Sequence, residues 1–162
     1  MLNNSDLLKK IASIIIATTL FSILYNQFRS SPLPLLKKEL KILNEMSEVD
    51  ILTTEPSISG INIDLAQKLF ENGMLFVDAR AEEFFYEGHI PGAICRDDFD
   101  SLTQQLEDVI SMDDSFVVYC SDDDCGSSED LAYELQSYGF NKIYLFKGGW
   151  KEWQNSDLPE EK

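Results

Sequence analysis

Eighteen consecutive residues near the start of the chain, Ile11 to Phe28, carry no charge on any helical face. A helix of that length spans about 27 Å at ~1.5 Å per residue, close to a bilayer core of roughly 30 Å. Tyr25 and Phe28 stand where interfacial aromatics stand. Lys9 and Lys10 resemble the n-region of a signal peptide, but Tyr25-Asn26-Gln27-Phe28-Arg29 lacks the small residues that a signal peptidase needs. The pattern therefore predicts an amino-terminal tail over 1–10 and an uncleaved, single-pass transmembrane anchor over 11–28. Ser30-Ser31-Pro32-Leu33-Pro34 then breaks the helix. Apolar residues at 35, 36, 40, 42, 43 and 46, with Lys37, Lys38 and Lys41 between them, fit a juxtamembrane amphipathic helix or a plain linker helix. Residues 29–47 are accordingly expected to be a juxtamembrane linker.

Beyond it the periodicity alternates. Residues 50–60 are Ser/Thr/Pro-rich, a linker or a first edge strand. Apolar positions 61, 63, 65, 66, 69 and 70, followed by Gly73, predict a short helix. Met74–Val77, Phe116–Tyr119 and Ile143–Phe146 are continuous apolar runs of strand length, and Ala93-Ile94-Cys95 adds a short one. Leu102, Leu106, Val109 and Ile110 mark a helix between them. Ser127, with Asp130 three residues on, reads as the N-cap of another, lined by Leu131, Ala132, Leu135 and Tyr138 and ended by Gly139. Apolar strands between helices predict an α/β fold with a parallel sheet covered on both faces.

Charge and cysteine content narrow the chemistry. Lys+Arg total 13 against Asp+Glu 29, a net charge of −16. Six basic and five acidic residues lie in 1–50, seven basic and twenty-four acidic in 51–162, so the acidity belongs to the second part. Such a surface repels phosphate backbones, and no nucleic-acid partner is expected. Three cysteines and one histidine, His89, leave little material for a disulfide scaffold or a Cys/His zinc cluster. Neither a metal nor an organic cofactor is expected. Basic residues flank both ends of the apolar helix, so the side of the membrane stays open, with a lean toward a cytoplasmic carboxy-terminal domain.

Cys120 is the candidate nucleophile. It follows a buried strand and leads into a helix amino terminus, whose free N–H groups favour a thiolate. In open α/β sheets, sites gather at that end of the strands. Backbone N–H groups of residues 121–126 can cradle charge there. A buried, inert cysteine is the plainer reading.

Val77-Asp78-Ala79-Arg80, Glu87-Gly88-His89-Ile90-Pro91-Gly92-Ala93, Val118-Tyr119-Cys120, then Gly148-Gly149-Trp150 and Trp153 occur in one order. This set resembles the rhodanese-like domain family over roughly residues 48–155, which assigns 48–162 to that domain. The resemblance implies a five-stranded, mostly parallel sheet with helices on both faces. It also implies that Cys120 takes a sulfane sulfur from a donor, holds it as a persulfide and passes it to a thiol or other nucleophilic acceptor. Asp78 and Arg80 match the family's Asp-x-Arg and are expected to support the fold or orient the active loop. His89 and Pro91-Gly92 are expected to form a turn, with the imidazole capping backbone groups. Trp150 and Trp153 are expected to pack on a last helix, with Trp150 shaping one wall of the site.

The active loop, Ser121, Asp122, Asp123, Asp124, Cys125, Gly126 and Ser127, departs from the family pattern. It is one residue longer than usual before the helix-opening serine, and none of its residues is basic. Three consecutive carboxylates raise a nearby thiol's pKa and repel an anionic donor. Thiosulfate is therefore expected to be a poor substrate, and a neutral or protein-bound persulfide donor a better one. Related phosphatases and arsenate reductases need an arginine in a Cys-x5-Arg loop; here that position is Gly126.

Cys125 can form a disulfide with Cys120 if their Cα atoms lie within ~7 Å. It would then act as a resolving thiol. A metal site from Cys120, Asp122, Asp124 and Cys125 has no recognised spacing. Cys95 is expected to pack near the sheet end. The sequence thus supports a membrane-anchored sulfurtransferase or sulfane-sulfur carrier. Two alternatives stay open: a catalytically inactive binding module at the membrane, and a thiol redox module using Cys120 and Cys125.

Overall fold

The computed structural model describes residues 4–28, 40, 42–45, 56–96, 98–122 and 125–162. The chain divides into two compact units, 1–39 and 40–162. In the first, α1 (Asn4–Gln27) is a single helix with a 19-residue stretch, Leu8–Asn26, of mean hydropathy 1.6, long and apolar enough to cross a membrane. Ile14, Phe21 and Leu24 are exposed on it, as an apolar helix outside a core must leave them.

In the second unit the elements run β1 (Ile42–Leu43), β2 (Ser57–Ile61), α2 (Ile63–Glu71), β3 (Phe76–Asp78), α3 (Glu82–Glu87), β4 (Ile94–Cys95), α4 (Phe99–Val109), β5 (Ser115–Tyr119), α5 (Ser127–Tyr138), β6 (Lys142–Phe146) and α6 (Gly149–Asn155). The sheet order is β1-β2-β6-β5-β3-β4, and every pairing is parallel. Alternation along each strand feeds two cores. On β5, Val117 and Tyr119 join Leu65, Leu69 and Trp153 from α2 and α6. Phe116 and Val118 join Leu102, Leu106, Leu131 and Leu135 from α4 and α5. Both faces are therefore dry, which is why the strands read as unbroken apolar runs.

Three expectations change. The sheet has six strands among the described residues, not five. The extra strand, β1, lies inside the segment expected to be linker. It pairs with β2 in the register Ile42↔Gly60 and Leu43↔Ile61, and Leu43 is fully buried. A two-residue strand carries too little period to separate it from a helical pattern, and only the free edge of β2 selects it. The rest of the expected helix over 35–46 falls mostly outside the described residues. Finally, Ser127 is the first residue of α5 rather than its cap. Gly126 already has right-handed helical angles and accepts from Asp130 N–H at 3.0 Å, so the helix is entered one residue earlier without a side-chain cap. Helix α3 was not anticipated; its Glu-Glu-Phe-Phe-Tyr-Glu run buries only Phe85.

Because Leu43 is buried, Leu43→Ala is expected to destabilise the soluble unit by roughly 2–5 kcal/mol in urea unfolding. A fragment from residue 48 is expected to be less stable than one from residue 40. Equal midpoints would remove β1 from the domain.

Candidate active site

Cys120 follows directly on β5, a central strand of the sheet, and is only 3% exposed. Its carbonyl oxygen accepts the Trp150 N–H at 2.8 Å, and the Ser121 carbonyl accepts the Lys151 N–H at 2.9 Å. The first turn of α6 thus grips the start of the loop through backbone alone. Gly149 permits this: its φ is +61°, and a Cβ there would overlap the Cys120 carbonyl oxygen. A left-handed backbone angle and a close approach fall on one residue, and only glycine tolerates both.

Cys125 N–H donates to the Asp122 carbonyl at 3.2 Å. The Cys120 and Cys125 Cα atoms lie 6.2 Å apart, and the two residues form a disulfide. The expected pairing geometry is met. Cys125 is half-buried, and α5 begins two residues later. The first N–H groups of that helix have no intrahelical acceptor and offer positive ends at the loop. Ser121, Gly126 and Ser127 are exposed and Asp122 is half-exposed, while Asp123 and Asp124 lie outside the described residues. In the disulfide, Cys120 and Cys125 have no thiolate to give a metal, which removes two of the four ligands of the metal alternative.

Asp78 and Arg80 form a buried pair behind the loop. Arg80 Nη2 donates to Asp78 Oδ2 at 2.6 Å and Nε to Oδ1 at 3.0 Å. Arg80 Nη2 also donates to the Gly88 carbonyl at 2.7 Å. Its guanidinium lies 5.0 Å from the Trp150 ring centroid and 5.9 Å from that of Tyr119. Burial works to lower the Arg80 pKa, and the Asp78 carboxylate outweighs it, so the guanidinium is held charged. Burial and the Asp78 charge both push the Tyr119 hydroxyl far above the ordinary phenol value. The Asp78 side chain accepts the Arg80 N–H at 3.0 Å and shapes its own turn. The pair reaches the active loop through Trp150, whose ring covers Arg80 and whose N–H holds Cys120.

His89 sits in the turn expected for it. Its Nδ1 is 3.0 Å from the Phe85 carbonyl and its ring stacks on Phe85 at 3.7 Å. Glu161 clasps the same turn: the His89 and Glu161 backbones exchange two hydrogen bonds of 2.9 Å, and the Glu161 carboxylate accepts the Gly92 N–H. Neither Glu161 nor the role of Gly149 was read from the sequence. The doubled glycine before Trp150 was the available signal for the second. Trp153 is fully buried and donates Nε1–H to the Pro159 carbonyl. Cys95 ends β4 and is half-buried.

Removing one member of a buried ion pair strands the other. Arg80→Ala is therefore expected to cost about 3–5 kcal/mol in chemical unfolding. Arg80→Lys is expected to recover only part of it, because an ammonium cannot fork across Asp78 and Gly88 while stacking on Trp150. Full recovery by lysine would show that charge alone matters here.

The chain is 31% identical over 96 residues to thiosulfate sulfurtransferase GlpE of Pseudomonas syringae pv. syringae (strain B728a), covering 59% of this chain and 86% of that one. It is 33% identical over 92 residues to the protein of the same name from Ectopseudomonas mendocina (strain ymp), covering 55% and 78%. In fold it is similar to the crystal structure of the BH2092 protein from Bacillus halodurans, with TM-score 0.54 and 21% identity over 72% of this chain and 80% of that one. It is also similar to that of the Alr3790 protein from Anabaena sp., with TM-score 0.51 and 23% identity over 62% and 89%. Residues 62–156, more than half of the chain, match the rhodanese-like domain, and the chain belongs to the rhodanese-like domain family.

Proposed function

We propose that this protein is a membrane-anchored sulfurtransferase or sulfane-sulfur carrier that forms a persulfide on Cys120. The carrying observation is the placement of Cys120. It directly follows a buried central strand, its carbonyl is fixed by the Trp150 N–H, and it opens the loop that enters α5. Free N–H groups at a helix amino terminus favour a nearby thiolate. The proteins named thiosulfate sulfurtransferase, at 31% and 33% identity, support the same chemistry.

In the proposed cycle the Cys120 thiolate attacks the sulfane sulfur of a donor. The donor's bond to that sulfur breaks, its remainder leaves with the electron pair, and Cys120 carries a persulfide. The disulfide form has no such thiolate, so reduction precedes the first turnover. The redox alternative draws on that same disulfide. The loop sequence points to a donor class: three consecutive carboxylates, Asp122, Asp123 and Asp124, oppose an anionic donor, so thiosulfate is disfavoured against a neutral or protein-bound one.

Full-length Cys125→Ser protein in detergent, reduced and freed of reductant, is expected to gain a single sulfur on treatment with inorganic polysulfide. The gain is expected to vanish when Cys120→Ser is added to it. A folded, reduced protein that takes up no sulfur would return the domain to a binding module. Replacing Asp122, Asp123 and Asp124 together by Asn is expected to speed persulfide formation from thiosulfate about tenfold at low salt. The gain is expected to shrink as ionic strength rises; an effect independent of salt would exclude a charge barrier.

The anchor rests on α1, whose 19-residue apolar stretch has the length of a bilayer core. The protein expressed in cells is expected to stay in the membrane pellet through alkaline carbonate and to retain residues 1–28 by intact mass. Loss of those residues would make α1 a signal sequence.

A further inference from the structure

We propose that Cys125 resolves the Cys120 persulfide by displacing its outer sulfur, and that the product leaving this site is hydrogen sulfide. This inference rests on the persulfide reading of Cys120 and names its outcome. Three observations carry it. Cys125 lies at a 6.2 Å Cα separation from Cys120, and the two are joined in a disulfide. The Cys120 end of the loop is gripped by α6 through the Trp150 and Lys151 N–H groups, so Cys125 meets a fixed target. Cys120 is 3% exposed, whereas Cys125 is half-buried, so the two sulfurs differ in their access to partners.

The step balances. The Cys125 thiolate attacks Cys120 Sγ, the inner sulfur of the persulfide. The Cys125–Cys120 S–S bond forms as the bond from Cys120 Sγ to the outer sulfur breaks. The outer sulfur leaves with the electron pair, picks up the protons of the persulfide and the thiol, and departs as hydrogen sulfide. Two thiols become one disulfide, and their two electrons reduce the sulfane sulfur. A dithiol reductant then restores both thiols and becomes a cyclic disulfide itself. It reaches the half-buried Cys125 sulfur, and Cys120 is expelled as the thiolate that starts the next cycle.

Competition favours the internal thiol. Even a flexible short tether gives roughly millimolar effective concentration, and an oriented pair gives far more. An external anionic acceptor must also approach Asp122 and the two carboxylates that follow it in sequence. The long, acidic, arginine-free loop thus opposes anions from outside and carries its own resolving thiol.

The test uses full-length protein in detergent, reduced and freed of reductant, with benzenethiosulfonate as sulfur donor. This donor leaves as benzenesulfinate, so any sulfide comes from the second step. Wild type is expected to release one sulfide per chain with no added acceptor and to end with Cys120 and Cys125 blocked to alkylation as a disulfide. Cys125→Ser and Cys125→Ala are expected to release benzenesulfinate yet keep the sulfur on Cys120, with sulfide release down at least about tenfold. Cys120→Ser is expected to take up no sulfur. A wild-type persulfide as long-lived as that of Cys125→Ala would overturn the resolving role and leave the transferase reading standing. Sulfur uptake on Cys125 in Cys120→Ser would reverse the two roles and overturn the proposal. No sulfur uptake by wild type or either Cys125 variant, with thiols free to alkylate, would overturn both readings.

Discussion

The approach of Gly149 to the Cys120 carbonyl is the contact on which the site depends. Two elements far apart in the chain, the end of β5 and the start of α6, meet backbone to backbone there. The meeting satisfies the carbonyls of Cys120 and Ser121 with the N–H groups of Trp150 and Lys151. Those N–H groups belong to the first turn of a helix and have no acceptor of their own within it. Any side chain at 149 would push the helix off the loop. The same placement lays the Trp150 ring over Arg80, so one residue touches both the buried Asp78–Arg80 pair and the Cys120 loop.

Within that frame the electrostatics of the loop are divided. The amino end of α5 favours negative charge on sulfur, while the Asp122–Asp124 run disfavours it. In a rhodanese-type loop with an arginine the two effects would act together. Here the two effects oppose each other. A helix dipole falls off within its first turn, whereas carboxylates in water act over about a Debye length and are screened by salt.

The two units follow different physics and were legible to different degrees. Helix α1 is decided by length and the absence of charge, and both are visible in one dimension. The α/β core was nearly as legible. Continuous apolar runs at Phe116–Tyr119 and Ile143–Phe146 mean strands buried on both faces, and the structure places them beside each other in the middle of the sheet. Strand β1 was not legible. Ile42 and Leu43 sit among lysines in a pattern that suits a helix, and their strand conformation is supplied by the open edge of β2.

The site divides along the same line. The sequence by itself determined which residues could do chemistry: Cys120 at a strand end, Cys125 in the same loop, three aspartates in place of an arginine, and the Asp78–Arg80 pair. These follow from residue type, spacing and local periodicity, which the chain carries in its order. Only the tertiary structure decided how the loop is held, that Cys125 folds back onto Cys120, and that Glu161 clasps the His89 turn. Those contacts join positions separated by up to 72 residues, as between His89 and Glu161. Their register is set by the packing of the sheet and its helices, and no local pattern encodes a distance across a fold.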